Sequence, residues 1–160
     1  MTRLFVRRYF DRRLSEEVSR ARRHDATFSL MLVDLDDFKQ VNDRYGHAAG
    51  DMVLRKVAEV LLGEVRSLDI PARVGGDEMA VICPEVGWQG AKVLAERILS
   101  RLRGEGVTVE GVRLEISVSI GLASYREHCA AGGREIMAVA DEALYRAKSG
   151  GKGMLVVAGE

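Results

Sequence analysis

Cysteine is scarce in this 160-residue chain, and the two present, Cys83 and Cys129, lack metal-type spacing. That argues against a disulfide framework or a thiolate metal site, and both read as reduced, buried thiols of a cytoplasmic protein. Net charge is missing too, because 24 Lys and Arg balance 24 Asp and Glu. No global field therefore favours nucleic acid or an anionic membrane, although eight arginines crowd the first 23 residues. No apolar run approaches the roughly 18 residues of a membrane helix, and no signal-peptide pattern, repeat or low-complexity segment is present. What remains is 47% hydrophobic and 30% charged, the composition of a soluble globular domain. Its length suits one domain, which buries roughly two-thirds of its unfolded surface. The chain begins almost inside a helix, as expected of a single domain (1–160) excised from a longer regulatory protein.

The most informative stretch is Arg73-Val74-Gly75-Gly76-Asp77-Glu78-Met79. Short apolar runs, Ile70 to Val74 and Met79 to Cys83, flank two glycines, which predicts a tight β-hairpin whose glycines supply positive φ. Adjacent carboxylates on such a turn repel each other and become comfortable around a cation; alone, they also suit a solvated polar turn.

Phe10, Leu14, Val18 and Ala21 recur at helical spacing, so the first helix is amphipathic and its arginines form a solvated or docking face. His24-Asp25-Ala26 breaks it. Phe28 to Val33 is an apolar run of strand length, expected to be buried on both faces. It ends in Asp34-Leu35-Asp36-Asp37-Phe38-Lys39. Alternation places Asp34 and Asp36 on one face and Leu35 on the other. Asp36 or Asp37 also suits the cap of the next short helix, but Asp34 at a buried strand end is costly unless paired or metal-bound. Gly46 suits the end of that short helix, and a further helix runs from about His47 to Gly63.

After the hairpin comes a helix from about Gly87 to Arg103. Two strands, Val107–Val109 and Val112–Ile120, flank a turn at Glu110-Gly111, the second of them half-buried by its alternation. A last helix, Gly132–Ser149, stops at Gly150-Gly151, and Met154–Val157 forms the final strand. The order α-β-α-α-β-β-α-β-β-α-β predicts an α/β sandwich: a central mixed, largely antiparallel sheet of about five strands with helices packed on it. The hairpin stands mid-sheet, beside the strand ending at Asp34.

Asp34, Asp77 and Glu78 are therefore carboxylates from neighbouring strands able to converge on one spot. Hard oxygen donors of this kind suit Mg²⁺ or Mn²⁺, with the Leu35 carbonyl as a further ligand. Lys39 and Lys152 supply positive charge for phosphates, although a lysine at a helix end, such as Lys148, can also simply complement the dipole. Asn42 and Asp51 carry groups that can read a guanine edge, and each equally suits a cap or turn. Phosphoryl or nucleotidyl transfer fits such a set, since its catalysis is mostly positioning and charge neutralisation.

These pieces, with Arg7-Arg8-Tyr9-Phe10, Tyr45-Gly46-His47, Gly50-Asp51, Ser117-Val118-Ser119-Ile120-Gly121 and Ala140-Asp141 through Lys148, occur in an order that resembles the GGDEF domain, the diguanylate cyclase family, from end to end. The resemblance implies a nucleotidyl-cyclase-like fold with helices on both sheet faces, and synthesis of cyclic di-GMP from two GTP with release of pyrophosphate. It implies Asp34, the Leu35 carbonyl, Asp77 and Glu78 as ligands of two Mg²⁺ (or Mn²⁺), Asp77 also taking the proton of the ribose 3′-hydroxyl. Phe38 backbone, Lys39, Lys148 and Lys152 would hold phosphates, with Asn42, Asp51 and His47 around guanine. Each domain holds one GTP, so a homodimer is required, controlled by an upstream sensor or receiver domain.

Arg66-x-x-Asp69, with Arg97 on the following helix, stands where the family carries its product-inhibition site. Departures are Met79 for the usual phenylalanine, Met1-Thr2-Arg3-Leu4-Phe5-Val6 at the opening, and Gly151-Lys152-Gly153-Met154 at the end. Relatives that accept ATP tend to carry serine at the position of Asp51, so guanine is favoured. The competing expectation is a catalytically silent module that binds cyclic di-GMP or GTP.

Overall fold

The computed structural model describes residues 2–160, so Met1 of the opening motif lies outside the described residues. The elements are β1 (Phe5–Val6), α1 (Arg7–His24), β2 (Phe28–Leu35), α2 (Phe38–Tyr45), α3 (His47–Glu64), β3 (Ile70–Arg73), β4 (Glu78–Pro84), α4 (Trp88–Arg103), β5 (Gly106–Val109), β6 (Val112–Glu115), β7 (Val118–Ser124), α5 (Gly133–Ser149) and β8 (Leu155–Val157). The main sheet has six strands in the order β1-β3-β4-β2-β7-β8, and β5 and β6 form a separate pair. Its inner ladders are antiparallel and its two outermost ones parallel.

The sixth strand is β1, two residues too short to leave a periodic signal. Alternation along β2 divides the core. Met31, Val33 and Leu35 face α3 and α4, whereas Phe28, Leu30 and Leu32 face α1 and α5. Both faces are covered, which is why β2 reads as a continuous apolar run. The α1 stripe is the expected one: Phe10, Leu14, Val18 and Ala21 are all buried, and Asp25 ends the helix in the left-handed conformation. Met79 is wholly buried in the α3–α4 layer, a position where a flexible thioether can replace an aromatic ring. Cys83 is buried but Cys129 is only partly so.

The expected strand Val112–Ile120 is two strands in different sheets. Leu114, Ile116, Val118 and Ile120 do share one core face, but the backbone changes partners at Ile116–Ser117, where the Ser117 carbonyl accepts from Asp36 N–H at 2.9 Å. Alternation reports which face is buried and says nothing of which backbone is paired. Nor is β7 half-buried, for α5 packs directly on it. A Cβ at Gly121 would come within 2.2 Å of the Ala140 carbonyl oxygen, so only glycine allows that approach.

Candidate active site

The β3–β4 hairpin and the carboxyl end of β2 meet mid-sheet, with Asp34 directly opposite Glu78 on one side and Ser119 on the other. Leu35 N–H donates to the Asp77 carbonyl at 3.2 Å, which ties the turn to β2. The turn glycines do not act as expected: neither Gly75 nor Gly76 has positive φ. Five residues link the β3–β4 register pair Arg73 and Met79, so the loop is wide enough to close without left-handed residues. Gly75 is needed for space instead, since a Cβ there would sit 2.9 Å from Glu78 Oε2. Arg73 holds the turn from below through the Gly76 carbonyl at 2.7 Å.

Asp34 is the electrostatic centre. Its Oδ2 lies 2.9 Å from Lys148 Nζ, whereas Oδ1 is buried without a hydrogen-bond partner. Desolvation pushes its carboxyl up to about 6; the hydrogen bond from Lys148 opposes this, and the negative charges of Asp77 and Glu78 add to it. Among the described residues no three carboxylate, imidazole or thiol groups are already gathered into a metal cage. The donor set nonetheless fits a hard cation: Asp34 has a free buried oxygen, two further carboxylates repel it from nearby, and Mg²⁺ needs only one or two carboxylates beside water, carbonyl and phosphate oxygens.

The loop from β2 into α2 carries the phosphate-binding candidates. Asp37 occupies the N-cap position with φ 55°, yet its side chain makes no capping bond. It accepts from Lys152 Nζ at 2.6 Å instead, so the amides opening α2 at Phe38 and Lys39 are left without a side-chain cap. Lys148 and Lys152 thus reach back across the fold, to Asp34 at the end of β2 and to Asp37 of this loop, rather than merely complementing the α5 dipole. Lys39 is exposed and makes no ion pair among the described residues.

Asn42, midway along α2, has a buried Oδ1 with no partner. A Cβ on Gly50 would fall 1.9 Å from that oxygen and 3.1 Å from the Phe38 ring, so Gly50 makes the cradle in which Asn42 sits. His47 and Asp51 lie exposed on the first turns of α3.

Arg66, Asp69 and Arg97 line a separate cavity of about 290 Å³ with Cys83 and Val93. Cys83 and Glu78 stand near opposite ends of β4, about 17 Å apart at strand rise. The Asp69 carboxylate is not open to a guanine edge. It is buried and accepts Arg66 N–H at 2.7 Å and Arg66 Nη2 at 2.9 Å, so it orients Arg66, whose guanidinium also reaches the Pro84 carbonyl at 3.1 Å. Arg97 is held by Glu64 at 2.5 Å. Burial pushes the Cys83 thiol up, and its neighbour Asp69 adds to this.

Sequence reasoning passed over Asp36, Ser117 and Ser119 as a group. Ser117 and Ser119 donate to Asp36 at 2.6 and 2.8 Å. The signal was the i, i+2 spacing of both serines beside a strand-end acid.

A mixed sheet with mid-sheet carboxylates beside a helix start that lacks a side-chain cap is a nucleotidyl-cyclase-like arrangement. The family model "Diguanylate cyclase, GGDEF domain" matches residues 1–154, and the chain belongs to that family. Diguanylate cyclase A of Treponema denticola is 34% identical over 95% of this chain, and response regulator PleD of Caulobacter vibrioides 37% identical over 98%. The chain spans only 42% and 35% of those two proteins. The GGDEF domain of DgcB from Caulobacter crescentus, solved in complex with c-di-GMP, superimposes with a TM-score of 0.94 at 31% identity, covering 99% of this chain and 94% of that one. Pseudomonas aeruginosa diguanylate cyclase SiaD, solved with its activator SiaC, gives 0.93 at 35% identity, covering 98% and 60%. No helix among the described residues is long and apolar enough to cross a membrane.

Proposed function

We propose that this chain is the catalytic domain of a diguanylate cyclase, joining two GTP into cyclic di-GMP with release of two pyrophosphates. The observation that carries the proposal is Asp34: a buried carboxylate with one oxygen unpartnered, set against Asp77 and Glu78 where β2 meets the hairpin. Asp34, the Leu35 carbonyl, Asp77 and Glu78 would hold Mg²⁺ (or Mn²⁺), two ions per site. Bound there, the metal would neutralise phosphate charge and make a ribose 3′-hydroxyl easier to deprotonate.

The chain's own groups do the rest. The opening amides of α2, Lys39, Lys148 and Lys152 bind the β and γ phosphates, and the two C-terminal lysines exchange a carboxylate partner for a phosphate one. Asn42, Asp51 and His47 orient guanine. Asp77 accepts the proton of the 3′-hydroxyl as its oxygen attacks the α-phosphorus of the other GTP, and pyrophosphate leaves in line. Each domain binds one GTP, so two copies must face each other, an arrangement that an upstream sensor or receiver domain would control. Arg66, Asp69 and Arg97 serve as a product-inhibition site, where a planar guanidinium can grip phosphate and guanine together.

The test is turnover with Mg²⁺ and GTP over a range of protein concentrations, with chromatographic detection of cyclic di-GMP. A rate rising more steeply than linearly is expected. A cross-linked dimer that binds Mg²⁺–GTP and makes no product sinks the proposal and favours a silent binding module.

A further inference from the structure

We propose that Asp36 is a positioning residue that locks the turn at Gly150–Gly153, and with it Lys152, against the phosphate end of the nucleotide site. The ligand named here rests on the cyclase proposal; the lock itself does not.

The Asp36 carboxylate accepts from Ser117 Oγ at 2.6 Å and Gly153 N–H at 3.0 Å through Oδ2, and from Ser119 Oγ at 2.8 Å through Oδ1. Its own N–H donates to the Ser117 carbonyl at 2.9 Å. Three segments remote in sequence therefore converge on one side chain: the loop after β2, the link into β7, and the turn after α5. No cation pairs with it among the described residues, for neighbouring Lys152 goes to Asp37. Hydroxyls and one amide alone satisfy the anion, and such charge-assisted bonds are about twice as strong as neutral ones.

The turn being held does not hold itself. Gly151, Lys152 and Gly153 all have positive φ, at 127°, 66° and 59°. A lysine in the left-handed region carries a cost that surrounding contacts must offset. The contacts include Lys152 N–H to the Ala147 carbonyl at 3.1 Å, Lys152 Nζ to Asp37, Arg103 Nη2 to the Gly153 carbonyl at 3.3 Å, and Gly153 N–H to Asp36.

Three links thus pin the end of α5 and its turn to the end of β2 and the loop after it: Lys148 to Asp34 on the strand, and Lys152 to Asp37 and Gly153 to Asp36 on the loop. The two lysines can leave their carboxylates for an incoming phosphate. Asp36 is bound by framework groups with no competing ligand, so its link persists and keeps Lys152 over the phosphates while the lysine side chains exchange partners.

The experiment is a double-mutant cycle of Asp36→Asn and Lys152→Ala. It is read by calorimetric binding of a non-hydrolysable GTP analogue with Mg²⁺, by KM and kcat, and by hydrogen exchange at the Gly153 amide. Asparagine keeps the shape but removes the charge, and the serine facing its NH₂ must turn its hydroxyl round to accept, so the bonds holding the turn lose their charge assistance. Expected is about ten- to a hundredfold weaker binding, a rise in KM exceeding the fall in kcat, and faster Gly153 exchange. Lys152→Ala should then cost little more, because its lysine is already displaced. Ser117→Ala, which keeps the carboxylate, should move each quantity less and in the same direction. Unchanged Gly153 protection, unchanged affinity, or fully additive penalties overturn the proposal. If the unsubstituted chain binds no Mg²⁺–GTP, the cyclase proposal fails instead, and faster Gly153 exchange in Asp36→Asn still supports the lock.

Discussion

Lys148 Nζ stands 2.9 Å from one oxygen of Asp34, and the other oxygen of that carboxylate is buried without a partner. The ion pair is half of what a buried anion needs. Desolvation outweighs it, so the carboxyl rises from 3.8 to about 6, with Asp77 and Glu78 contributing. The folded protein therefore binds a proton here more tightly than the unfolded chain does. Asp34's contribution to the stability of the metal-free protein should be fullest below about pH 4, fall as pH rises to about 6, and level off above, by on the order of 2–3 kcal/mol. Mg²⁺ should reverse the loss, so its thermal shift should be larger at pH 7.5 than at pH 5. Melting scans with and without Mg²⁺ at both pH values check this, and equal shifts would count against Asp34 as the ligand.

Asp34→Asn should separate stability from turnover. It removes the buried charge and leaves Lys148 free to turn toward water. The melting temperature of the metal-free protein should rise by a few degrees, as for roughly 1 kcal/mol in a domain of this size. Cyclic di-GMP formation should fall at least about a thousandfold if Asp34 holds the metal as proposed. Asp77→Asn should lose activity likewise with a smaller stability change. Melting curves beside a turnover assay decide; an Asp34→Asn protein that keeps most of its rate would displace Asp34 from the site.

The carboxylates were legible in the sequence because buried strand ends and acidic turns stand out against apolar runs. Asp34, Asp77 and Glu78 fall where hydrophobic patterning leaves them. The chemistry of Gly75 was not legible, since the need is for room beside Glu78 rather than for a left-handed angle. The Asp36 cluster was hidden for a different reason: its partners are 81 to 117 residues away, and pairing across such distances is a property of topology. The split between β6 and β7 escaped because both strands bury the same face while pairing with different neighbours.

Gly50→Ala tests the guanine end. Alanine is the better helix former by about 1 kcal/mol, so an isolated helix would gain. Its Cβ would fall 1.9 Å from Asn42 Oδ1, which must move. The protein should fold with near-normal stability, bind GTP about tenfold or more weakly, and discriminate less against ATP, as expected when one hydrogen-bonding group is displaced. Competition between GTP and ATP measures this. Undiminished preference for GTP would mean that Asn42 does not read the base.

Arg66→Ala and Asp69→Ala should both relieve product inhibition, by different routes. Arg66 is half-exposed and presents its guanidinium to the cavity, whereas Asp69 is wholly buried and binds only Arg66. Losing Arg66 would remove the proposed grip on cyclic di-GMP, so product binding should weaken at least about tenfold. It also leaves Asp69 buried without its counter-charge, so stability should fall by about 3 kcal/mol or more. Losing Asp69 frees Arg66 to swing out, so product binding should weaken less. The double variant Arg66→Ala/Asp69→Ala removes both charges and should regain much of the stability lost by Arg66→Ala while staying insensitive to product. Calorimetric binding of cyclic di-GMP with melting curves for all three variants tests the assignment, which fails if Arg66→Ala binds product like the unsubstituted protein.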